Sequence, residues 1–350
     1  MFYLYYPIGE APGLTTGEQD TPPTNQTSSQ IKALSQEPVL GVTIEGQKVK
    51  YYSADNGNVF TSDFSGSGTT LTSSSVLLNL IKVLWSPDKN KVIAILNQDG
   101  KDKKYLYDYK TKSSTPLDDN IEWISWSPKE DRIAYQYYNS QTQENNISIA
   151  NSNGSNWTNI FQTRMKNLIV EWPKSDQVAI RTRPSGLAQS DAYTISLSGN
   201  DFEKVIDKTY GLTLLWSPLG DKVLFSTTDS QGKNLKLKLI NLKTKTIKEL
   251  GVVTLPEKCA WSGDNRTIFC AVPKKISDFA VLPDDYYKKI ISFSDDFWRI
   301  NTDEERVTPI YSTENEKAAA YDAKDMLLSP LEDYLLFINQ KDGRLYSLSL

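Results

Sequence analysis

The 350-residue sequence has no histidine, two cysteines, three methionines and no cluster of lysine or arginine. Without histidine there is no Ser-His or Cys-His nucleophile pair, and the commonest general base and metal ligand are both missing. A formal net charge of -4 with no basic stripe argues against a nucleic-acid partner. Two cysteines are too few for a disulfide scaffold or a tetrahedral zinc site. No apolar run is long enough to cross a bilayer. Met1 to Ile8 is apolar and aromatic, but eight residues at 1.5 Å each fall far short of a core of about 30 Å. That segment reads either as the trailing edge of a membrane anchor, since tyrosines favour the interface, or as a frayed end. These absences lead to the expectation of a protein that is not an enzyme and uses no cofactor or metal.

What is present favours β-structure. Aromatic residues make up 11% of the chain, with 19 Tyr, 11 Phe and 8 Trp. Residues 1–28 read as a flexible stalk, because from Gly9 they are rich in Thr, Pro, Gly and Gln and nearly empty of core-forming side chains. Residues 29–350 are repetitive. Six segments share an apolar stretch, Trp-Ser-Pro or a decayed form of it, a few turn residues and an apolar strand. Aligned on Pro87, Pro128, Pro173, Pro218, Gly263 and Pro330, they are spaced by 41, 45, 45, 45 and 67 residues. Four of those spacings match a four-stranded propeller blade. A degenerate seventh copy without the tryptophan runs from Pro38.

One such sheet cannot bury both faces, whereas a closed ring of seven buries them all and leaves short edges. The expected fold is therefore all-β, a seven-bladed propeller with Trp85, Trp126, Trp172, Trp216 and Trp261 packed between blades. The last blade supplies only three strands before Leu350. The segment from Gln30 to Leu34 is expected to pair with Arg344 to Leu350 as the fourth and close the ring.

The Trp-Ser-Pro motif, followed by a strand ending in a turn such as Asn153-Gly154-Ser155, resembles the propeller repeat of TolB. The same repeat occurs in the propellers of the prolyl oligopeptidase and dipeptidyl peptidase IV families. In those peptidases it precedes a hydrolase domain with a downstream histidine, which this sequence lacks. The resemblance implies an extracytoplasmic, membrane-tethered monomer that recognises a protein or peptide. The alternatives are a carbohydrate-active or other hydrolytic propeller using carboxylates, and a purely structural envelope component.

Propeller strands run a to d from the channel outwards, so the bc and da connections share one rim. The excess in the 67-residue spacing falls there, in Pro273 to Asp295 and Ser312 to Asp325, the second opening with a helix-capping signature at Thr313 and Glu316. The candidate partner residues on this rim are Tyr286, Tyr287, Trp298, Arg181 and Arg183, aromatic and arginine side chains being enriched in binding hot spots. The bland alternative is that the insertion packs its own aromatics. The pairs Asp284-Asp285 and Asp295-Asp296 read as solvated surface carboxylates. Cys259 and Cys270 flank the turn at Gly263 to Asn265 and stand opposite in a hairpin, which suits either a cross-strand disulfide or two buried thiols.

Overall fold

The computed structural model describes residues 30–74, 77–312 and 320–350. The anchor and stalk readings and the helix expected after Thr313 lie outside these residues. The remainder forms seven four-stranded antiparallel sheets. Blades 1 to 6 take their strands in chain order, for example Leu80–Trp85, Lys91–Gln98, Lys101–Asp108 and Ser113–Pro116 in blade 2. Blade 7 takes Ala323–Leu328, Tyr334–Asn339 and Leu345–Ser349, and its outer strand is Ile31–Ala33. Ile31 pairs with Leu348 and Ala33 with Tyr346, so the expected closure is what the chain adopts.

The core lies between blades. One apolar cluster joins Ile93 and Leu106 of blade 2 to Ile124 and Ile133 of blade 3. Similar clusters occupy each successive interface, and the last joins Val49 and Tyr51 of blade 1 to Leu336 and Leu345 of blade 7. Burial of each such leucine or isoleucine contributes roughly 1.5–3 kcal/mol, so the ring is held by neighbours on both sides of every sheet.

The tryptophans stitch adjacent inner strands together. Trp126 Nε1 donates to Leu84 O of the preceding blade at 2.9 Å, and Trp85 Nε1 to Gly41 O at 2.6 Å. The serine of the motif closes the ab hairpin: the amides of Ser86, Ser127 and, where Leu328 replaces the tryptophan, Ser329 donate to carbonyls five residues on, each at 2.9 Å. The turn position held by Gly220 at φ 65° is left-handed, and Lys89, Asn265 and Glu332 adopt the same conformation at φ 61°, 60° and 56°. Loss of glycine there thus leaves the turn geometry intact at a local cost of about 1–2 kcal/mol per residue.

Cys259 and Cys270 face each other in register and are joined by a disulfide.

Candidate functional site at the channel mouth

The insertion between Thr267–Pro273 and Asp295–Asn301 of blade 6 lies across the bc and da rim and is fastened to three other blades. Its one-turn helix, Asp284–Tyr287, presents Asp284 to blade 4, where Ser185 Oγ donates at 3.0 Å and Gly186 N at 2.6 Å. Gly186 must be glycine, because a Cβ there would stand 2.3 Å from Leu282 O. From blade 5, Lys233 Nζ donates to Ala280 O at 2.8 Å. Underneath, Tyr286 stacks on Phe293 at 5.0 Å in a cluster with Leu255 and Leu282.

The fastening to blade 7 is ionic. Lys258 is fully buried, and its Nζ donates to Asp322 Oδ1 at 2.6 Å and Ala323 O at 2.8 Å and pairs with Asp295 Oδ2 at 2.9 Å. Tyr286 donates its hydroxyl to Asp322 at 3.2 Å, while the amides of Phe293 and Ala323 donate to Asp322 and Asp295. One cation thus faces two carboxylates away from water. Burial pushes Asp295 up to about 6, against the pull of Lys258. Two expectations are corrected here: Asp295 is not a solvated surface group, and Tyr286, 2% exposed, is a core residue with no face for a partner. Both follow from the insertion folding back onto its own blade.

Beside this anchor, groups from several blades converge where the inner strands begin. Arg181, at the end of strand Gln177–Arg181 in blade 4 and 11% exposed, pairs through Nε with Glu171 Oε2 at 3.3 Å. Trp216 of blade 5 donates to the same oxygen at 3.3 Å. Thr213 Oγ1 donates to Glu257 Oε2 at 3.1 Å, Glu257 lying in the 3-10 turn Pro256–Lys258 that leads into blade 6. Arg181 Nη1 and Glu257 Oε1 are both buried without a hydrogen-bond partner.

Burial pushes the Glu257 carboxyl up, while hydrogen bonds and the Arg181 charge work in the opposite direction. Half of Tyr287 faces solvent, but burial and the neighbouring Glu257 also push its hydroxyl up, so the ring is outside and the hydroxyl inside. Across the channel, Lys82 of blade 2 stands 4.9 Å from the Trp123 ring centroid; burial lowers its pKa against the fields of Asp325 and Glu171. Lys82 and Asp325, from blades 2 and 7, line a cleft of about 640 Å³ together with Ile81 and Lys289.

Of the candidate residues, the structure brings Arg181 and Tyr287 together. Arg183 is exposed in a neighbouring cleft of about 400 Å³ with Lys101, Lys103 and Trp123. Trp298 lies within the blade 6 sheet, opposite Cys270 and Pro309. Glu171, Thr213, Glu257 and Lys82 were not singled out from the sequence. Glu171 carried a usable signal, since it is a charge immediately before the motif tryptophan where other repeats have Leu84, Ser125, Leu215 and Ala260. Among the described residues no group of three or more acidic or cysteine side chains could hold a metal ion, and no helix is long and apolar enough to cross a membrane.

No family description matches the chain, and no curated protein matches it. Solved structures do match its fold. An oligogalacturonate lyase in complex with manganese is 12% identical, with a TM-score of 0.64 over 91% of this chain and 93% of that one. The oligogalacturonate lyase of Vibrio parahaemolyticus is 10% identical, with a TM-score of 0.64 over 92% and 94%. A prolyl endopeptidase structure is 12% identical, with a TM-score of 0.59 over 91% of this chain and 49% of that one. The chain is a seven-bladed β-propeller, as its repeats predict. The expectation of a protein that is not an enzyme is overturned. The lyases share this architecture over nearly their whole length, so a propeller can itself be the enzyme, and the lack of histidine in this sequence does not decide the matter.

Proposed function

We propose that the chain is an extracytoplasmic recognition propeller that receives a protein or peptide partner on the rim carrying the bc and da connections. The supporting observation is the asymmetry of the two rims. Phe279, Tyr287 and Ile290 on the insertion, Leu187 beside it, and Leu78 and Ile81 at the cleft are all large apolar side chains left exposed. On the opposite rim, Trp157, Leu219 and Leu331 stand singly on three different blades. A grouped apolar surface around a polar centre suits a protein interface, whereas isolated exposed side chains need no explanation. The disulfide supports an oxidising compartment.

The test is cross-linked capture from the envelope fraction of source cells, using the full chain, the variant Phe279→Ser/Ile290→Ser and the opposite-rim variant Leu219→Ser/Leu331→Ser. One partner is expected with the unaltered chain and the opposite-rim variant, and none with the first. Equal capture by both variants, or none by the unaltered chain, rejects the assignment.

A second reading rests on Glu257. A carboxyl whose pKa is raised by burial, beside a tyrosine hydroxyl and an arginine, has the makings of a proton-transfer site on an acidic saccharide. Turnover of oligogalacturonate that disappears in Glu257→Gln supports it; absence of turnover by the unaltered chain ends it.

A further inference from the structure

The face of blade 3 turned towards blade 2 carries a mixed set of aromatic and polar side chains. Its strands Arg132–Asn139, Glu144–Asn151 and Thr158–Gln162 pair so that Tyr135 stands opposite Ser148, Ser148 opposite Asn159, and Asn139 opposite Glu144. Side chains alternate along a strand, so Tyr135, Tyr137, Glu144, Ser148 and Asn159 share one face. The inner part of that face packs against Ile93 and Leu106 of blade 2. Farther out, blade 2 offers only the short strand Ser113–Pro116, and a cleft of about 350 Å³ opens. Asp118, which follows that strand, and Trp157, which precedes the outer strand of blade 3, also line the cleft, and no lysine or arginine lies among the residues around it.

Two observations give the cleft its sign. Asp118 Oδ1 accepts from the backbone and side-chain nitrogens of Asn120 at 2.8 and 3.0 Å, and Glu144 Oε1 from Asn146 Nδ2 at 2.8 Å. Neutral amides orient these carboxylates without neutralising them, and among the described residues neither is in an ion pair. Elsewhere the protein lays its own cations on ring faces: Lys50 is 4.8 Å from the Trp85 centroid, Lys166 4.5 Å from that of Tyr138 and Lys204 5.5 Å from that of Tyr193. Among the described residues no lysine or arginine stands over Tyr135, Tyr137 or Trp157. Trp157, 60% exposed, is alone among apolar side chains on its rim, but its neighbours in the cleft are polar.

We propose that this cleft binds a small organic cation, an alkylated ammonium group, against the rings of Trp157, Tyr135 and Tyr137 with Asp118 and Glu144 as its counter-charges. Such a group is attracted to ring faces and has few or no N–H donors to satisfy there. An anion would meet two like charges. A neutral saccharide could stack on Trp157 but would close two carboxylates off from water without compensating them, which is costly. A metal ion would make no use of the rings. The volume is at the lower end of the range for small-ligand pockets, about 300–1,000 Å³, and suits one compact group. The site lies in the wall between blades 2 and 3 and does not rest on the rim assignment.

The probes are choline, tetramethylammonium, 3,3-dimethylbutanol, which has the shape of choline without its charge, and a mixture of neutral monosaccharides, each titrated by calorimetry into the full chain. Both ammonium ions are expected to bind, and dimethylbutanol at least about tenfold more weakly than choline. Trp157→Ala and the double variant Asp118→Asn/Glu144→Gln should each weaken choline binding by about tenfold or more. All four side-chain changes are isosteric or at an exposed position, and melting temperatures matched to the unaltered chain confirm that the fold is kept. Flotation with phosphatidylcholine vesicles separates two sources of the same chemistry: Trp157-dependent association assigns a lipid headgroup, and its absence alongside choline binding assigns a free cation. Equal binding of choline and dimethylbutanol, binding of monosaccharides only, choline binding unchanged in both variants, or no binding of either ammonium ion overturns the site. The capture experiment with Phe279→Ser/Ile290→Ser touches none of these residues, so either assignment can fail alone.

Discussion

The two rims of this propeller are built from the same strands and satisfy their polar groups in different ways. On the ab side each hairpin closes on itself and adds contacts to the next blade near the surface, as where Ser262 Oγ and Gly263 N donate to Glu332 Oε1 at 2.8 Å. Ser86 Oγ accepts from Lys91 N at 2.9 Å, and Ser329 Oγ from Tyr334 N at 2.9 Å. Asp88 is held down to about 2, first by the Asn90 side chain and then by Ser86. On the bc and da side some loops also close on themselves, as where Asp229 accepts from Gln231 N and Lys233 N at 2.9 Å, but around the insertion the polar groups find partners across blades and out of water. There burial raises Asp295 and Glu257 instead of lowering them. The repeat unit encodes a rim whose polar groups are satisfied within the hairpin and by the next blade. Departures from the repeat encode one whose groups are not satisfied in that way, and there a ligand has something to add.

The largest separation between the rims should come from Lys258→Met, which leaves Asp295 and Asp322 buried without their cation. Removing one partner of a buried pair costs about 3–5 kcal/mol, so the denaturant midpoint should fall sharply. A shift no greater than that of an ab-rim variant would break the comparison.

Acid titration should sharpen it next. For Asp295 the folded form holds its proton more tightly than the unfolded chain does. Its contribution to stability is therefore present below about pH 4 and is lost as pH rises through about 6. Asp88 behaves in the reverse sense, its contribution being present above about pH 4 and lost as pH falls towards 2. Asp295→Asn should flatten the first slope alone and Asp88→Asn the second alone, read from unfolding free energies at a series of pH values.

Smaller effects are expected from single hairpins. Ser86→Ala removes one acceptor from a partly buried turn and should cost about 1 kcal/mol. Lys89→Gly should raise stability by about 1 kcal/mol, because it relieves a left-handed lysine at φ 61°. If Lys89→Gly destabilises, the turn is held by something other than local conformation.

Much of the scaffold was legible in the sequence because its signals are local and repeated. Trp-Ser-Pro and its decayed forms set the hairpin in each repeat, and the tryptophan adds an interblade bond in blades 2 and 3, so six copies locate six blades. Ring closure followed from counting strands, and the facing of Cys259 and Cys270 from hairpin symmetry. The site was legible only in part, because its partners come from distant positions. Asp295 reads as an ordinary surface carboxylate along the chain and joins Lys258 and Asp322 in one buried group only when blade 6 meets blade 7. Tyr286 and Tyr287 are neighbours in sequence, yet a single helical turn sends one into the core and the other to the mouth. Periodicity carries no information about such a turn.

The pairing of Ile31–Ala33 with Leu345–Ser349 also makes a statement about time. Ser35 Oγ receives the amide of Leu345 across 310 residues of chain, so the strand Ile31–Ala33 must wait for residue 345 to be made. Until then Ile31 and Leu34, both nearly fully buried in the finished ring, have no surface to cover. Six blades can assemble one after another as they leave the ribosome, each on its predecessor. The seventh is a delayed fastening, and a product cut short before residue 345 presents an open ring with two bare edges to whatever surveys nascent proteins.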